Sequence, residues 1–289
     1  MVRKGNTKTL SSGRPPNTIK PKASLSSQAT RTLIRSHHQL NKQVEAAKAK
    51  GDNAETERLQ KRIKDLGGLR SYQQASIQGQ SNERGGDSST VLIAWLKPMN
   101  PDLSSAKPRL RLLEVGALST KNACSRSGYF DVQRIDLNSQ EGSILQQDFM
   151  QRPLPQDDTE KFDLISLSLV VNYVPDAVGR GEMLRRTCRF LDVSQDAGRI
   201  PRTQATFPAL FIVLPAPCIT NSRYMDEARL SSIMKSIGYA LLQRKHTAKL
   251  VYYLWHLAQP VMSGKAQFPK KEVNPGVTRN NFSIVLEKG

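Results

Sequence analysis

The chain has 289 residues, 38% of them hydrophobic and 24% charged, with a net charge of +18. This length is enough for one sizeable hydrophobic core and an appendage. Three scattered cysteines without nearby histidines argue against a disulfide scaffold or a zinc site, so we expect no metal. No run of 18 apolar residues is present, which argues against a membrane span.

The positive charge is concentrated in the N-terminal part. Residues 1–110 contain 20 Lys and Arg against 8 Asp and Glu, whereas residues 111–289 contain 23 against 17. Such a basic arm is suited to binding the phosphate backbone of a nucleic acid. It could instead serve only solubility or nuclear targeting. A mitochondrial transit peptide also stays open, because the first 44 residues contain no acidic residue.

The sequence before residue 89 is predicted to contain a tail and a helical arm that ends in a polar stretch. Residues 1–28 are rich in Lys, Arg, Ser and Pro, which predicts a disordered basic tail. Residues 29–88 are predicted to form a helical arm that binds RNA or covers a cofactor. Its two helices run from 30 to about 66 and are interrupted at 51–53. For the polar residues 72–89 three roles stay open: they line a ligand pocket, they contact RNA, or they form an ordinary surface connector. The helical periodicity is carried by Leu33, Leu40, Val44, Leu59, Ile63 and Leu66.

Residues 89–289 are predicted to form an α/β domain. Near-continuous apolar strands alternate with helices, a pattern typical of a parallel sheet covered on both faces. After the last helix, residues 249–257 and 282–286 predict an antiparallel hairpin at the sheet edge. The other predicted strands are 111–115 (strand 1), 133–136 (strand 2), 162–171 (the fourth strand) and 210–214 (strand 5), and the predicted helices are 89–97, 177–191 and 224–237.

A nucleoside-binding pattern lies in the first half of this domain. The apolar strand in LLEVGALS (112–119) ends at Gly116, and the next strand ends at Asp136 in RIDLN (134–138). A glycine lets the backbone approach a ligand, and such an acid accepts hydrogen bonds from ribose hydroxyls. Leu118 and Lys121 occupy the other two glycine positions of a dinucleotide motif, which favours a nucleoside without phosphates, such as S-adenosylmethionine. Alternatively, Gly116 is only a tight turn and Asp136 a solvated acid.

The candidate chemistry lies after the fourth strand, in VVNYVPD (170–176). Many amine methyltransferases place Asp/Asn-Pro-Pro-Tyr/Phe at this point, where the polar side chain holds the target nitrogen and the ring stacks on the base. Asn172 and Tyr173 are present, but the intervening proline pair is absent. An alternative is that Asn172 caps the following helix and Tyr173 packs in the core.

These segments together resemble the fungal methyltransferases that modify adenine N1 in 25S ribosomal RNA. The resemblance is carried by LLEVGALS, RIDLNS, LQQDFMQRPLP, FDLISLSLVVNYVPD and LFIVLPAPCITNSRY, and by SLSSQATRTLIRSHHQLNKQ and SYQQASIQGQ in the arm. It implies a class I, Rossmann-like methyltransferase fold with a mostly parallel sheet, and S-adenosylmethionine as cofactor. It also implies location in the nucleus and nucleolus, and we expect a monomer that acts on 25S rRNA in a pre-ribosomal particle.

The resemblance also implies roles for individual residues. Gly116 would lie at the methionine or ribose end of the cofactor, and Asp136 would bind the ribose hydroxyls. Asp148 and Phe149 would flank the cofactor adenine by a hydrogen bond and a ring contact. By position alone, we predict that Asn172, Tyr173 and Asp176 orient the target base, stack on it and stabilise its developing positive charge. A cofactor-binding regulator without catalysis and a protein methyltransferase remain the alternatives.

Overall fold

A computed structural model describes residues 27–68, 71, 86–104, 108–139, 141–194, 206–259 and 267–288. The predicted disordered tail lies almost entirely outside these residues, as does most of the polar segment 72–89. The helices are α1 Ser27–Ala49, α2 Asn53–Asp65, α3 Ser89–Met99, α4 Ala123–Arg126, α5 Ala177–Phe190, α6 Pro217–Thr220 and α7 Glu227–Ser236. The strands are β1 Leu110–Val115, β2 Phe130–Asp136, β3 Leu145–Gln146, β4 Leu164–Ser168, β5 Ala209–Pro215, β6 Tyr239–His246 and β7 Leu250–Leu257.

Helices α1 and α2 form the predicted hairpin. Gly51 turns the chain between them with a φ of 70°, and the Asp52 side chain accepts a hydrogen bond from the Glu55 amide and so caps α2. The two helices bury a small apolar cluster of their own, made of Leu40, Val44, Ala47 and Leu59. The helical periodicity of the arm is therefore confirmed.

The seven strands form one sheet in the order β3-β2-β1-β4-β5-β7-β6. The first five strands in this order are parallel, whereas β7 runs antiparallel to both β5 and β6. The predicted mostly parallel sheet with antiparallel C-terminal strands is confirmed.

Both faces of the sheet are covered. On one face, α5 and α7 contribute to a large cluster with Leu113, Ile165 and Ile212. On the other face, α3 contributes Leu92 and Leu96, which pack with Leu112 and Phe211. Alternate residues of one strand therefore serve different clusters, as the pleat of a buried strand requires. No described helix is both long enough and apolar enough to cross a membrane.

The predicted partner of the last strand is wrong. Strand β7 pairs with β6 and with β5, so both of its edges are already occupied. Residues 282–286 lie instead against α5, where the Val285 amide donates to the Ala177 carbonyl at 2.9 Å. A Cβ atom on Gly181 would be 1.9 Å from the Val285 carbonyl oxygen, so only glycine permits this close approach.

The fourth predicted strand is too long at its C-terminal end. Strand β4 ends at Ser168, because Leu169 adopts a left-handed φ of 59° and turns the chain out of the sheet. The residues from 170 to 176 therefore form the connection to α5. A left-handed conformation at a residue other than glycine is strained and is often found near functional sites.

Candidate functional site

The turn after β1 requires a glycine. Gly116 has a φ of 73°, and its amide donates to the Ile135 carbonyl of β2 at 2.8 Å. A Cβ atom at this position would lie 2.7 Å from Cγ2 of Val170, in the turn after β4. The carboxyl ends of β1, β2 and β4 thus meet at Gly116, and this is the edge at which open α/β sheets bind ligands.

Asp136 is the last residue of β2, and it follows Ile135, whose carbonyl accepts from the Gly116 amide. Its half-buried carboxylate accepts from the Asn138 amide at 2.8 Å, and its carbonyl accepts from the Gln147 amide at 2.9 Å. The structure therefore brings Gly116 and Asp136 to adjoining turns. That Asp136 binds ribose hydroxyls stays a prediction.

Asp148 and Phe149 lie in the next turn along the chain, but they face different surroundings. Asp148 is half-buried, and its carboxylate accepts from the Met150 amide at 2.8 Å. The Phe149 ring is only 2% exposed and packs at 5.2 Å from the Phe190 ring in the main core. The predicted contact between this ring and the cofactor adenine would require the ring to become accessible, and it stays a prediction.

Two arginines hold this turn in place, and the sequence did not indicate them. Nε of Arg186 donates to the Phe149 carbonyl at 2.8 Å, and Arg152 donates to the Gln147 side chain at 2.7 Å. Both guanidinium groups lie within 6 Å of the Phe190 ring centre. Burial lowers the pKa of both groups, although arginine remains charged.

The turn after β4 contains the residues predicted to contact the target base. Asn172 is half-buried, and its buried Oδ1 atom has no hydrogen-bond partner among the described residues. Tyr173 is also half-buried, and its amide donates to the Val170 carbonyl at 2.8 Å. A buried acceptor without a donor costs free energy, so such an atom indicates a ligand that would supply the donor.

Asp176 is exposed and caps helix α5. Its Oδ1 atom accepts from the Gly179 amide at 2.7 Å. The alternative that Asn172 caps this helix is therefore wrong. A direct role for Asp176 near the target base stays a prediction, and its carboxylate already serves the helix N-terminus.

Arg180 connects the turn after β4 to the C-terminal segment. This buried side chain donates to the carbonyls of Val174, Pro175 and Ser283 at 2.9, 3.2 and 2.8 Å. Its guanidinium carbon lies 4.7 Å from the centre of the Phe282 ring. Burial lowers the pKa of Arg180, and no ion pair with a carboxylate offsets that burial among the described residues. Sequence reasoning missed it, because its partners are carbonyls, which every residue has.

Glu114 is a further acidic side chain next to the glycine turn. Burial raises its pKa to about 7, although Asn122 donates to it and Nε of Arg134 lies 3.6 Å away. Its other oxygen, Oε2, is buried without a hydrogen bond within the described ranges. An acidic residue inside the mostly buried strand LRLLEV, two positions before the glycine, could have indicated it from the sequence.

The last residues of the predicted arm reach the same edge of the sheet. The Ser88 and Ser168 hydroxyls are 2.7 Å apart, which joins the start of α3 to the end of β4. The Asp87 carboxylate and the Ser89 hydroxyl both accept from the Ala123 amide at the start of α4. The described part of the polar segment 72–89 therefore supports the turn that follows Gly116.

The arrangement fits a nucleoside cofactor without phosphates. A glycine without a side chain and half-buried carboxylates lie at the ends of neighbouring strands, which suits a ribose and its base. Leu118 and Lys121 stand where a pyrophosphate-binding turn has glycines. S-adenosylmethionine has this chemistry, with Gly116, Asp136 and Asp148 as the residues that would hold it.

The strand order, the antiparallel β7 and this glycine turn define a class I S-adenosylmethionine-dependent methyltransferase. A sequence model described as "25S rRNA (adenine(2142)-N(1))-methyltransferase, Bmt2" matches residues 57–284. The chain therefore belongs to the Bmt2 family.

Two fungal relatives are similar over most of the chain. It is 42% identical over 230 residues to the 25S rRNA (adenine(2142)-N(1))-methyltransferase of Saccharomyces cerevisiae, a match covering 79% of this chain and 63% of that protein. It is 40% identical over 256 residues to the 25S rRNA adenine-N(1) methyltransferase of Schizosaccharomyces pombe, covering 87% of this chain and 89% of that one.

Sequence identity to solved structures is lower than to these two relatives. The N-methyltransferase NodS from Bradyrhizobium japonicum, in complex with S-adenosyl-L-homocysteine, is 14% identical with a TM-score of 0.34. This match covers 58% of the present chain and 87% of NodS. The fold assignment therefore rests on the strand order.

Proposed function

We propose that the protein transfers a methyl group from S-adenosylmethionine to N1 of an adenine in 25S ribosomal RNA. The family model and the two fungal relatives are described as 25S rRNA adenine-N1 methyltransferases, and these descriptions give the reaction class. The observation that carries the proposal for the site is the unpartnered Oδ1 atom of Asn172, in the turn whose Val170 packs against Gly116. The exocyclic amino group of an adenine is a donor that fits this acceptor.

The bound cofactor supplies an electrophilic methyl group on a sulfonium. Adenine N1 is a neutral in-plane lone pair at pH 7, so the residues need not remove a proton before the transfer. Their main contribution is to hold the base so that N1, the methyl carbon and the sulfur are in line. Asn172 would fix the base edge through the exocyclic amino group, and Tyr173 would stack on its face.

The product base carries a positive charge. Asn172 Oδ1 places partial negative charge in this turn, and the exposed Asp176 carboxylate lies at its end. Preorganised dipoles of this kind stabilise charge as it develops in the transition state. The target adenine must be unpaired when it binds, because N1 belongs to its pairing edge.

Transfer to a defined RNA tests this proposal. The full-length protein is incubated with S-adenosylmethionine and a 25S rRNA fragment containing the target adenine, and the digested nucleosides are analysed by mass spectrometry. We expect 1-methyladenosine at one position, and none when that adenine is replaced by guanine. Tight cofactor binding without transfer to RNA would instead support a regulator, and transfer only to a protein would support a protein methyltransferase.

A cellular measurement complements the assay. Ribosomal RNA from cells lacking the gene should lack one 1-methyladenosine, and the wild-type gene should restore it. An unchanged 1-methyladenosine content would contradict the proposed function.

We also propose that the protein acts as a monomer on pre-ribosomal particles in the nucleolus. We further propose that its N-terminal arm contacts RNA or covers the cofactor. The support is the charge of residues 1–110, which contain 12 more basic than acidic residues. Light scattering tests whether the protein is a monomer, and the position of a fluorescent fusion in the cell tests whether it is in the nucleolus. Removal of residues 1–28 tests whether the tail contributes to RNA affinity or only to nuclear entry.

A further inference from the structure

A cluster of basic and aromatic side chains lies beside the turn after β4. We name it the Tyr224 surface, and it consists of Arg223, Tyr224, Lys270 and Arg279. The Lys270 ammonium lies 4.3 Å from the centre of the half-buried Tyr224 ring, and the Arg223 guanidinium lies 6.0 Å from it. Cations at these distances are attracted to the face of an aromatic ring.

Hydrogen bonds fix the backbone of this surface. The Arg223 amide donates to the Asn280 carbonyl at 2.9 Å, and the Arg223 carbonyl accepts from the amides of Val273 and Asn274. Asn274 also donates through its side chain to the Ser222 carbonyl at 3.2 Å. The segment that carries Lys270 and Arg279 is thereby held against the segment that carries Tyr224.

A chain of contacts connects the Tyr224 surface to the proposed target-binding turn. The Ser222 hydroxyl accepts from the Tyr224 amide at 3.0 Å and donates to the Phe282 carbonyl. The Phe282 ring packs under Arg180, which donates to the Val174 carbonyl of the turn. Nucleotides adjacent in sequence to a base held by Asn172 would therefore pass close to Tyr224.

The charge of the Tyr224 surface is only weakly compensated. In the described ranges, Lys270 and Arg279 form no ion pair, and Nε of Arg223 approaches the half-exposed Glu272 carboxylate only to 4.0 Å. By contrast, the exposed Arg244 is 2.5 Å from the Glu227 carboxylate. Arg223 and Arg279 each also donate one guanidinium hydrogen bond to a backbone carbonyl, that of Gly276 at 3.0 Å and that of Pro275 at 3.2 Å. The Lys270 ammonium and the other N–H groups of these arginines are thus open to phosphates.

We infer that the Tyr224 surface binds the single-stranded nucleotides that flank the target adenine. A base displaces Lys270 from the face of the Tyr224 ring and stacks there, and Lys270 and Arg279 contact phosphates on either side of it. Unpaired RNA is commonly recognised in this way, by aromatic rings for bases and basic side chains for the backbone. This inference rests on the proposed function and specifies how its RNA substrate is held.

Steady-state kinetics of the full-length protein on the 25S rRNA fragment test the ring. We expect Tyr224→Ala to raise the KM for RNA about tenfold, the size of one lost base–aromatic stack. The kcat and the Kd for S-adenosylmethionine should stay at their wild-type values, because among the described residues the hydrogen bond and the cation contacts of Tyr224 go to Ser222, Arg223 and Lys270, and to neither of the two turns. Tyr224→Phe should behave like the wild type, since it keeps the ring.

The salt dependence of RNA binding tests the cations. The double variant Lys270→Gln/Arg279→Gln should reduce the slope of log affinity against log salt by about 1.4, because each single-strand phosphate contact contributes about 0.7. The matched control is Lys235→Gln/Arg109→Gln, which removes the same charge from exposed positions at the opposite edge of the sheet. The control should leave the slope close to that of the wild type.

The outcomes separate this inference from the proposed function. If the wild type does not methylate the RNA fragment, the proposed function fails. If the wild type methylates it but both Tyr224→Ala and the Lys270/Arg279 double variant match the control, the Tyr224 surface does not bind RNA. Should Tyr224→Ala unfold the protein, the substitutions at Lys270 and Arg279 decide the question alone, because Lys270 is exposed and Arg279 is only half-buried.

Discussion

The turns that follow β1, β2 and β3 receive hydrogen bonds from residues 2 to 37 positions away, whereas the turn after β4 also depends on a residue about a hundred positions away. Asp136 and Asp148 each accept from an amide two residues further on, and Arg186 donates to the Phe149 carbonyl across 37 residues. Arg180, which holds the turn after β4, reaches Ser283 across 103 residues. We call the first region the cofactor half and the second the target half, and the contacts of the target half span the longer stretch of sequence.

The two halves differ in backbone strain, although each contains a buried side-chain oxygen without a hydrogen bond among the described residues, Oε2 of Glu114 in the cofactor half and Oδ1 of Asn172 in the target half. The target half contains the strained Leu169 and the unpartnered Oδ1 of Asn172. Local strain and unmet acceptors persist only where the surrounding structure enforces them, and they concentrate where a ligand completes the site. This difference suggests that the cofactor half is a preformed binding site and the target half is completed by the RNA base. Each of the following predictions concerns one half, in descending order of its effect on methyl transfer.

The largest effect is expected for Asn172→Ala in the target half. The kcat for RNA methylation should fall about 100-fold, because the base loses the contact that aligns N1 with the methyl group. The Kd for S-adenosylmethionine, measured by calorimetry, should not change. Full activity in both Asn172→Ala and Tyr173→Ala would contradict the assignment of these residues.

Asp136→Asn should act on the cofactor half. We expect the Kd for S-adenosylmethionine to rise about 10- to 100-fold, since a hydrogen bond to a charged group contributes about 1.5–3 kcal/mol. Calorimetric titration of the free protein measures this value. Asp131→Asn, an exposed position in the same strand, provides the control. Equal affinities for the two variants would remove Asp136 from the cofactor site.

Arg180→Lys tests whether the target half depends on its distant contacts. Lysine keeps the charge but cannot reach three carbonyls in the fork geometry of a guanidinium, so we expect kcat to fall about tenfold. The Kd for the cofactor should not change, whereas a general loss of structure would raise it. The control is Arg189→Lys, at an exposed position of the same helix. A change in KM for RNA alone would indicate a contact with RNA instead of a positioning role.

Glu114→Gln should affect stability more than transfer. The pKa of this carboxyl is raised to about 7 from an ordinary value of 4.5, so the folded state binds more protons than the unfolded state between these values. The stability that the protonated carboxyl contributes is therefore complete below about pH 4.5 and is lost as the pH rises through about 7. Glutamine mimics the protonated form, so the variant should be more stable than the wild type at pH 8, by roughly 1–3 kcal/mol.

Urea unfolding of the cofactor-free protein at pH 5, 6, 7 and 8 measures this effect. The exposed Glu57→Gln, on α2, controls for the loss of a negative charge. A free energy of unfolding that decreases with pH to the same extent in wild type and Glu114→Gln would refute the raised pKa.

The contrast between the halves also explains what the sequence could predict. The strands β1, β2 and β5, the glycine turn and the acid at the end of β2 follow from local patterns of apolar residues, glycine and aspartate. Strand β6 was missed, because YALLQRKH has exposed polar residues in place of a buried alternation. Residues 282–286 were assigned to a strand on apolar content alone, although they pack across α5. Arg180 and the Tyr224 surface depend on contacts between distant segments, which no local pattern contains.

The contact between residues 282–286 and α5 has a consequence for synthesis. The residues of the cofactor half lie between positions 87 and 149, so the chain has produced all of them when about half of its length has been made. The target half cannot be completed before Ser283 and Val285 leave the ribosome, because they bond Arg180 and Ala177. Since chains generally begin to fold from the N-terminus, the cofactor half can form before the target half is complete.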